Sequence, residues 1–379
     1  MKLRRALIVA AVALSMAPVA RSGHEQSVYP SYYPHEIEIK ALAPGPAAEL
    51  LRAGKLHAYL GRVPPVAAGN GAATIESLGA FLVIRLNANS PRARDEPTAC
   101  ATAAALVRDM AQRGNGLVVH PYPVTPWHGD YFDHADLAEA ARQQMLASDA
   151  TLGPSDLKVR AIGARARGLT RPEWLSEGEG ELWDAAVEEV SAAELVARET
   201  TMLNGWLGPR WVRSGWFHAY RLLGPSITDA TQASLVAANA ERLQEVAYAG
   251  AVERINLERE LLQVLLSGCR ALVAGYTVKH EPFNVSFSAG IENISFDALE
   301  GFNSPMFLRT VKLKDFPWNG WLQLGLQPRP SAAWNPVGGF TDPFGRLMWF
   351  AVADPALIPM PYDQVWTLNR FSNVEASPP

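Results

Sequence analysis

Apolar and polar positions along the chain fall into three regimes. Over residues 37–120 they switch repeatedly between the two-residue period of strands and the longer period of helices. Residues 37–42 predict a strand, and 44–54 (PGPAAELLRAG) a helix with proline at its start and glycine at its end. A second strand is predicted over 56–60, then a Pro/Gly loop over 61–71. Residues 80–86 (AFLVIRL) predict a third strand, apolar enough to be buried on both faces. A helix over 98–113 carries Ala101, Ala104, Ala105, Val107 and Met110 and stops at Gly114, and 116–120 (GLVVH) predict a fourth strand. This β-α-β-β-α-β order predicts a mixed sheet with helices packed on it.

From 135 to 268 the period becomes helical. A helix is predicted over 134–148, and two more over 226–250 and 251–268, the last with an apolar stripe of Ile255, Leu257, Leu261, Leu262, Val264 and Leu265. Thr170 with Glu173, and Ser191 with Glu194, match the spacing of a capping box. From 270 onward the pattern predicts strands over 271–279, 283–289, 306–313, 320–326, 347–353 and 364–369. The fold class expected is therefore α+β (mixed α/β): a mixed N-terminal sheet, a helical middle section and a strand-rich C-terminal part. The segments expected are a signal peptide (1–22), an α/β lobe (23–134), a helical section (135–268) and a strand-rich lobe (269–379), arranged as two lobes or as one large fold with a helical insertion.

The signal-peptide reading rests on Lys2, Arg4 and Arg5 followed by an eight-residue apolar run over 7–14. Eight residues are too few for a bilayer core, which needs about 20 in a helix. No later stretch approaches that length, so the mature protein is expected to be exported, periplasmic or secreted, with no transmembrane segment. Its Ala-, Arg- and Pro-rich usage suggests a bacterial source. In such a protein the opening strand-helix-strand over 37–60 resembles the start of a periplasmic solute-binding protein. The resemblance covers the N-terminal lobe alone and brings no motif with it.

Composition narrows the field further. The 379 residues carry 34 Lys+Arg against 38 Asp+Glu, a net charge of −4, which disfavours nucleic acid as a partner. No GxxxxGK[ST], no GxGxxG after a strand and no GxSxG occur, so no nucleotide site or hydrolase elbow is expected. No CxxCH indicates haem. The two cysteines, Cys100 and Cys269, either pair in an oxidising compartment or remain buried thiols.

The densest chemistry lies in His120–Asp136, HPYPVTPWHGDYFDHAD, where three of the eight histidines meet three aspartates. His120, His128, His134 and Asp130 are the candidate metal ligands, since imidazole with carboxylate suits zinc, copper or another divalent transition metal. The competing reading is a polar loop held by its own hydrogen bonds. Trp127, Tyr131, Trp318 and Trp321 are candidate ligand-binding residues, because aromatic faces beside amides and acids hold rings and cations. Glu292 and Asp297 form a candidate acid/base pair.

Three functions compete on these grounds. The first is an exported binding protein or accessory subunit holding a small ligand or a divalent metal near the 120–136 loop. The second is a metal-dependent exported hydrolase using Asp130 or Glu292 as base. The third is a structural subunit docking on another periplasmic protein through its Trp-rich C-terminal part.

Overall fold

The computed structural model describes residues 34–61, 71–114, 116–147, 157–176, 182–200, 210–286, 290–315, 320–327, 343–353, 357–360 and 365–369. The predicted signal segment, most of the 61–71 loop and Trp318 lie outside the described residues. In chain order the strands are β1 (Glu36–Ala41), β2 (Ala58–Leu60), β3 (Ala72–Leu86), β4 (Leu117–Val119), β5 (Val159–Ile162), β6 (Ala185–Ser191), β7 (Ala271–Asn284), β8 (Ile291–Asn293), β9 (Lys312–Leu313), β10 (Trp321–Leu326), β11 (Leu357–Pro359) and β12 (Trp366–Leu368). The helices are α1 (Pro44–Arg52), α2 (Glu96–Arg113), α3 (Ala135–Ala147), α4 (Ala164–Leu169), α5 (Ala192–Thr200), α6 (Gly215–Leu223), α7 (Ala230–Gln244), α8 (Ala251–Leu265), α9 (Pro305–Thr310) and α10 (Pro343–Ala353).

The fold is mixed α/β, built on an eight-stranded sheet of order β1-β10-β2-β7-β3-β6-β5, with β4 also paired to β7. β1 and β2 both run parallel to β10, which is inserted between them. The long pair β3 and β7 is antiparallel and forms the spine. Its inner residues are buried on both faces, as their continuous apolar run requires. One face of the spine packs against α6, α7 and α8 through Leu78, Phe81, Trp216, Leu261 and Leu262. The opposite face packs against α2 through Leu82, Ile84, Leu106 and Met110. Cys100 on α2 and Cys269, just before β7, form a disulfide that clamps that layer to the sheet.

Three expectations change. Residues 306–313 and 347–353 fall largely in helices α9 and α10, not strands. Each helix carries proline in its first turn, and every residue of α9 is buried, so no two-residue alternation is really present. The section 135–268 contains two strands, β5 and β6, because half-buried β6 (AAVEEVS) completes the sheet between β3 and β5. The Thr170–Glu173 match precedes only a short turn of 3-10 helix at Pro172–Trp174. The three predicted sections all contribute strands to the large sheet: β1 to β4, β5 and β6, and β7 and β10.

Candidate functional site

The 120–134 segment leaves the sheet at the end of β4, which lies against β7 with Val119 opposite Gly275. Gly275 is required there, since a Cβ would stand 2.2 Å from the Val118 carbonyl oxygen. Pro121, Pro123 and Pro126 carry no N–H, so the chain cannot continue as strand or coil into helix. Side chains take over the hydrogen bonding. The His120 ring reaches the Val124 carbonyl at 2.9 Å through Nε2. The backbone N–H of Thr125 donates to His128 Nδ1 at 2.9 Å.

That last bond fixes a relay. With Nδ1 accepting, neutral His128 carries its proton on Nε2 and donates it to His218 Nδ1, 2.9 Å away on α6. His218 in turn donates from Nε2 to the Val212 carbonyl at 3.0 Å. Both rings are buried, packed on Phe81, and every ring nitrogen is used. Burial pushes the His128 ring well below the usual histidine range and, with the nearby Arg213 charge, pushes His218 down to about 4.

His134 goes elsewhere. A 3-10 turn over Tyr131–Asp133 turns the chain so that Asp130 reaches the start of α6 and His134 reaches α8. His134 Nε2 lies 3.1 Å from Glu258 Oε2, and its Nδ1 lies 3.4 Å from the Tyr122 hydroxyl. The other Glu258 oxygen accepts from Arg254 at 2.7 Å, and Arg254 also holds Asp133 at 2.7 Å. Arg259 clamps the Asp133 carbonyl and the Asp136 carboxylate. Asp130 accepts from the Gly215 N–H with both oxygens, at 3.0 and 2.9 Å, at the positive end of α6. Burial, with Glu258 close by, raises its carboxyl to about 6 against the pull of the Gly215 N–H. Helix α6 comes this close only because its first residue is Gly215, whose Cβ would stand 2.5 Å from Val124 Cγ1.

Asp130 thus takes the place of the helix cap. Ser214, the residue at the cap position, makes no side-chain cap bond, and its buried hydroxyl has no partner among the described residues. Ser214, Asp130 and Glu258 share the wall of a cavity of about 400 Å³ with Arg254, Asp133, Trp211, Trp216 and Tyr248. Val246, in the same wall, holds a backbone φ of 58°, a left-handed conformation that β-branched residues avoid. A second cavity of about 600 Å³, mostly apolar, lies between α2, α3 and α8 beside the disulfide.

Of the residues singled out by sequence, Asp130 and His134 are brought together, while His120 and His128 are each engaged in their own hydrogen bonds. Trp127 bonds Tyr276, and Tyr131 faces His120, with neither lining the 400 Å³ cavity. Trp321 is 63% exposed at the start of β10. Glu292 is tied to Lys312 at 3.2 Å, whereas Asp297 is buried against Arg213 at 2.6 Å, so the two serve separate ion pairs. Glu258 was missed. Its signal was available, because it falls in register with Leu261, Leu262 and Leu265, a charge inside the buried stripe of α8.

No protein-family profile matches the chain, and no curated protein matches it. Among solved structures it is similar to HbpA2 from Haemophilus parasuis, with 14% identity and a TM-score of 0.43 over 72% of this chain and 56% of that one. It is also similar to an ABC transporter substrate-binding protein from Sinorhizobium meliloti, with 12% identity and a TM-score of 0.43 over 72% and 60% of the two chains. The oligopeptide-binding protein AppA from Bacillus subtilis, solved with a nonapeptide, has 13% identity and a TM-score of 0.42 over 71% and 58%. The chain spans less than two thirds of the length of each. Among the described residues no helix is long and apolar enough to cross a membrane.

Proposed function

We propose that the protein is an exported ligand-binding protein whose site is the 400 Å³ cavity between the 129–133 turn, α6 and α8. The short apolar run over 7–14 behind a basic start supports export. The observation that carries the binding site is the composition of the wall. Three aromatic rings (Trp211, Trp216 and Tyr248) converge with Arg254, Asp133 and the unpartnered Ser214 hydroxyl on one concavity of small-molecule size. The rings offer apolar contact to a ligand body, and the charged groups fix its polar end. Strain at Val246 supports the same reading, since left-handed non-glycine residues concentrate where a wall is shaped for a ligand.

Native mass spectrometry of the protein purified from its host tests this reading. A small-molecule adduct is expected, lost in Trp211→Ala and kept in Trp321→Ala. The reading fails if no adduct forms and no amino acid, sugar or short peptide shifts the melting temperature.

A further inference from the structure

We propose that Asp130, His134 and Glu258 form a binding site for a divalent transition metal, with Zn(II) as the cation they fit. The inference deepens the cavity reading, on which it rests for its open side.

The geometry begins with three donor atoms, one from each side chain, all within 4.8 Å of one another. The His134 nitrogen and the Glu258 oxygen stand 3.1 Å apart. Two ligands each about 2 Å from one tetrahedral ion stand about 3.3 Å apart, so this pair needs little movement to admit the cation. All three side chains are buried, at 3%, 0% and 1% exposure. They sit on rigid supports. The 3-10 turn fixes Asp130 relative to His134, and Glu258 lies in the middle of a 15-residue helix.

Each donor also has an outer partner that orients it. His134 turns its other ring nitrogen to Tyr122, Glu258 gives its other oxygen to Arg254, and Asp130 is held by the Gly215 N–H. Metal-binding imidazoles and carboxylates are characteristically held in this way. One nitrogen and two carboxylates suit zinc, whereas calcium and magnesium call for more oxygens.

The Ser214 hydroxyl is an independent sign. It is 1% exposed, lies in the wall that Asp130 and Glu258 share, and has no hydrogen-bond partner among the described residues. A polar group buried without a partner is costly unless something on that side accepts it. Water or a ligand atom on the open position of a three-ligand cation supplies such a partner. His120 and His128 stay outside the site, their rings being committed to Val124, Thr125 and His218.

Calorimetry on the mature full chain, stripped with a chelator and titrated with Zn(II) alone, tests the proposal. One zinc per chain is expected. Its affinity should fall at least 100-fold in Glu258→Gln and in Asp130→Asn, both near-isosteric changes, and stay unchanged in His128→Gln. Circular dichroism identifies any variant that fails to fold, and the remaining one decides. In Co(II)-loaded protein a visible absorption band is expected that Glu258→Gln removes. The proposal is overturned if the wild-type chain takes up no zinc, or if both carboxylate variants fold and bind zinc as the wild type does. A native adduct without zinc uptake would sink the metal and leave the cavity reading standing. Zinc uptake without an adduct or a ligand-induced melting shift would do the reverse.

Discussion

The histidines of the 120–134 segment divide by what each ring can reach. Their crowding was readable in the sequence, and so was the attraction of a carboxylate for one of them. Which carboxylate was not, because Glu258 lies 124 residues from His134 and meets it only through the packing of α8. The His128–His218 pair was hidden for the same reason, its members being 90 residues apart. This pair has a consequence for pH. His218 is pushed from 6.5 down to about 4, so between those values the unfolded chain binds a proton that the folded chain refuses. Stability therefore rises with pH in that window, is complete above about 6.5 and is lost as pH falls toward 4. The size is on the order of 3 kcal/mol. Asp130, raised to about 6, acts with the opposite sign, adding stability at low pH that fades as pH rises through about 6. Comparing urea unfolding of the wild type and His218→Gln at pH 7 and pH 4 separates the two. The stability advantage of the wild type should shrink by that amount on acidification, and parallel curves would remove histidine as the cause.

At the scale of elements, the amphipathic helices and most strands were legible, including the doubly buried second half of β3, whereas the fully buried helix α9 was not. Helix α9 is buried at every position, so it leaves no polar face to mark its period, whereas the continuous apolar run of β3 was short enough to read as a strand. The unread signal at α9 is its cap, where the Ser304 hydroxyl accepts from the Met306 N–H and Pro305 follows. Helix α6 depends on a contact that no pattern announces, the approach of Gly215 to Val124. Propensity alone favours Gly215→Ala by up to about 1 kcal/mol. Against it stands a Cβ placed 2.5 Å from a branched, buried side chain that has no room to turn. Overpacking of this kind costs about 1–3 kcal/mol, and the shift also pulls the Gly215 N–H away from Asp130. Net destabilisation is expected in urea unfolding, with part of the loss recovered in the double variant Gly215→Ala, Val124→Ala. A Gly215→Ala protein more stable than wild type would contradict the packing account.

Over the whole molecule, sequence order and spatial order part company. The expected segments follow changes of hydrophobic period near 135 and 269, and hydrogen bonds cross both boundaries. Strand β7, which begins at Ala271, pairs with β3 along nearly its full length and also with β2 and β4. Strand β10 separates β1 from β2, and among the described residues β1 has no other strand partner in the sheet. The disulfide ties Cys100 to Cys269 across 169 residues, which the loop-entropy relation values at about 5 kcal/mol. A fragment covering 23–268 would keep the helical section and both cavity-bearing helices, α6 and α8. It would lose the spine strand, the disulfide partner and the strand that joins β1 to β2. Its apolar residues Phe81, Val83 and Ile84, fully buried in the complete chain, would face water along the exposed edge of β3. The fragment should therefore aggregate or show no cooperative thermal transition, while the complete chain from residue 23 melts in one step. Cooperative melting of the fragment would mean that the N-terminal sections hold a core of their own, independent of the strands that follow.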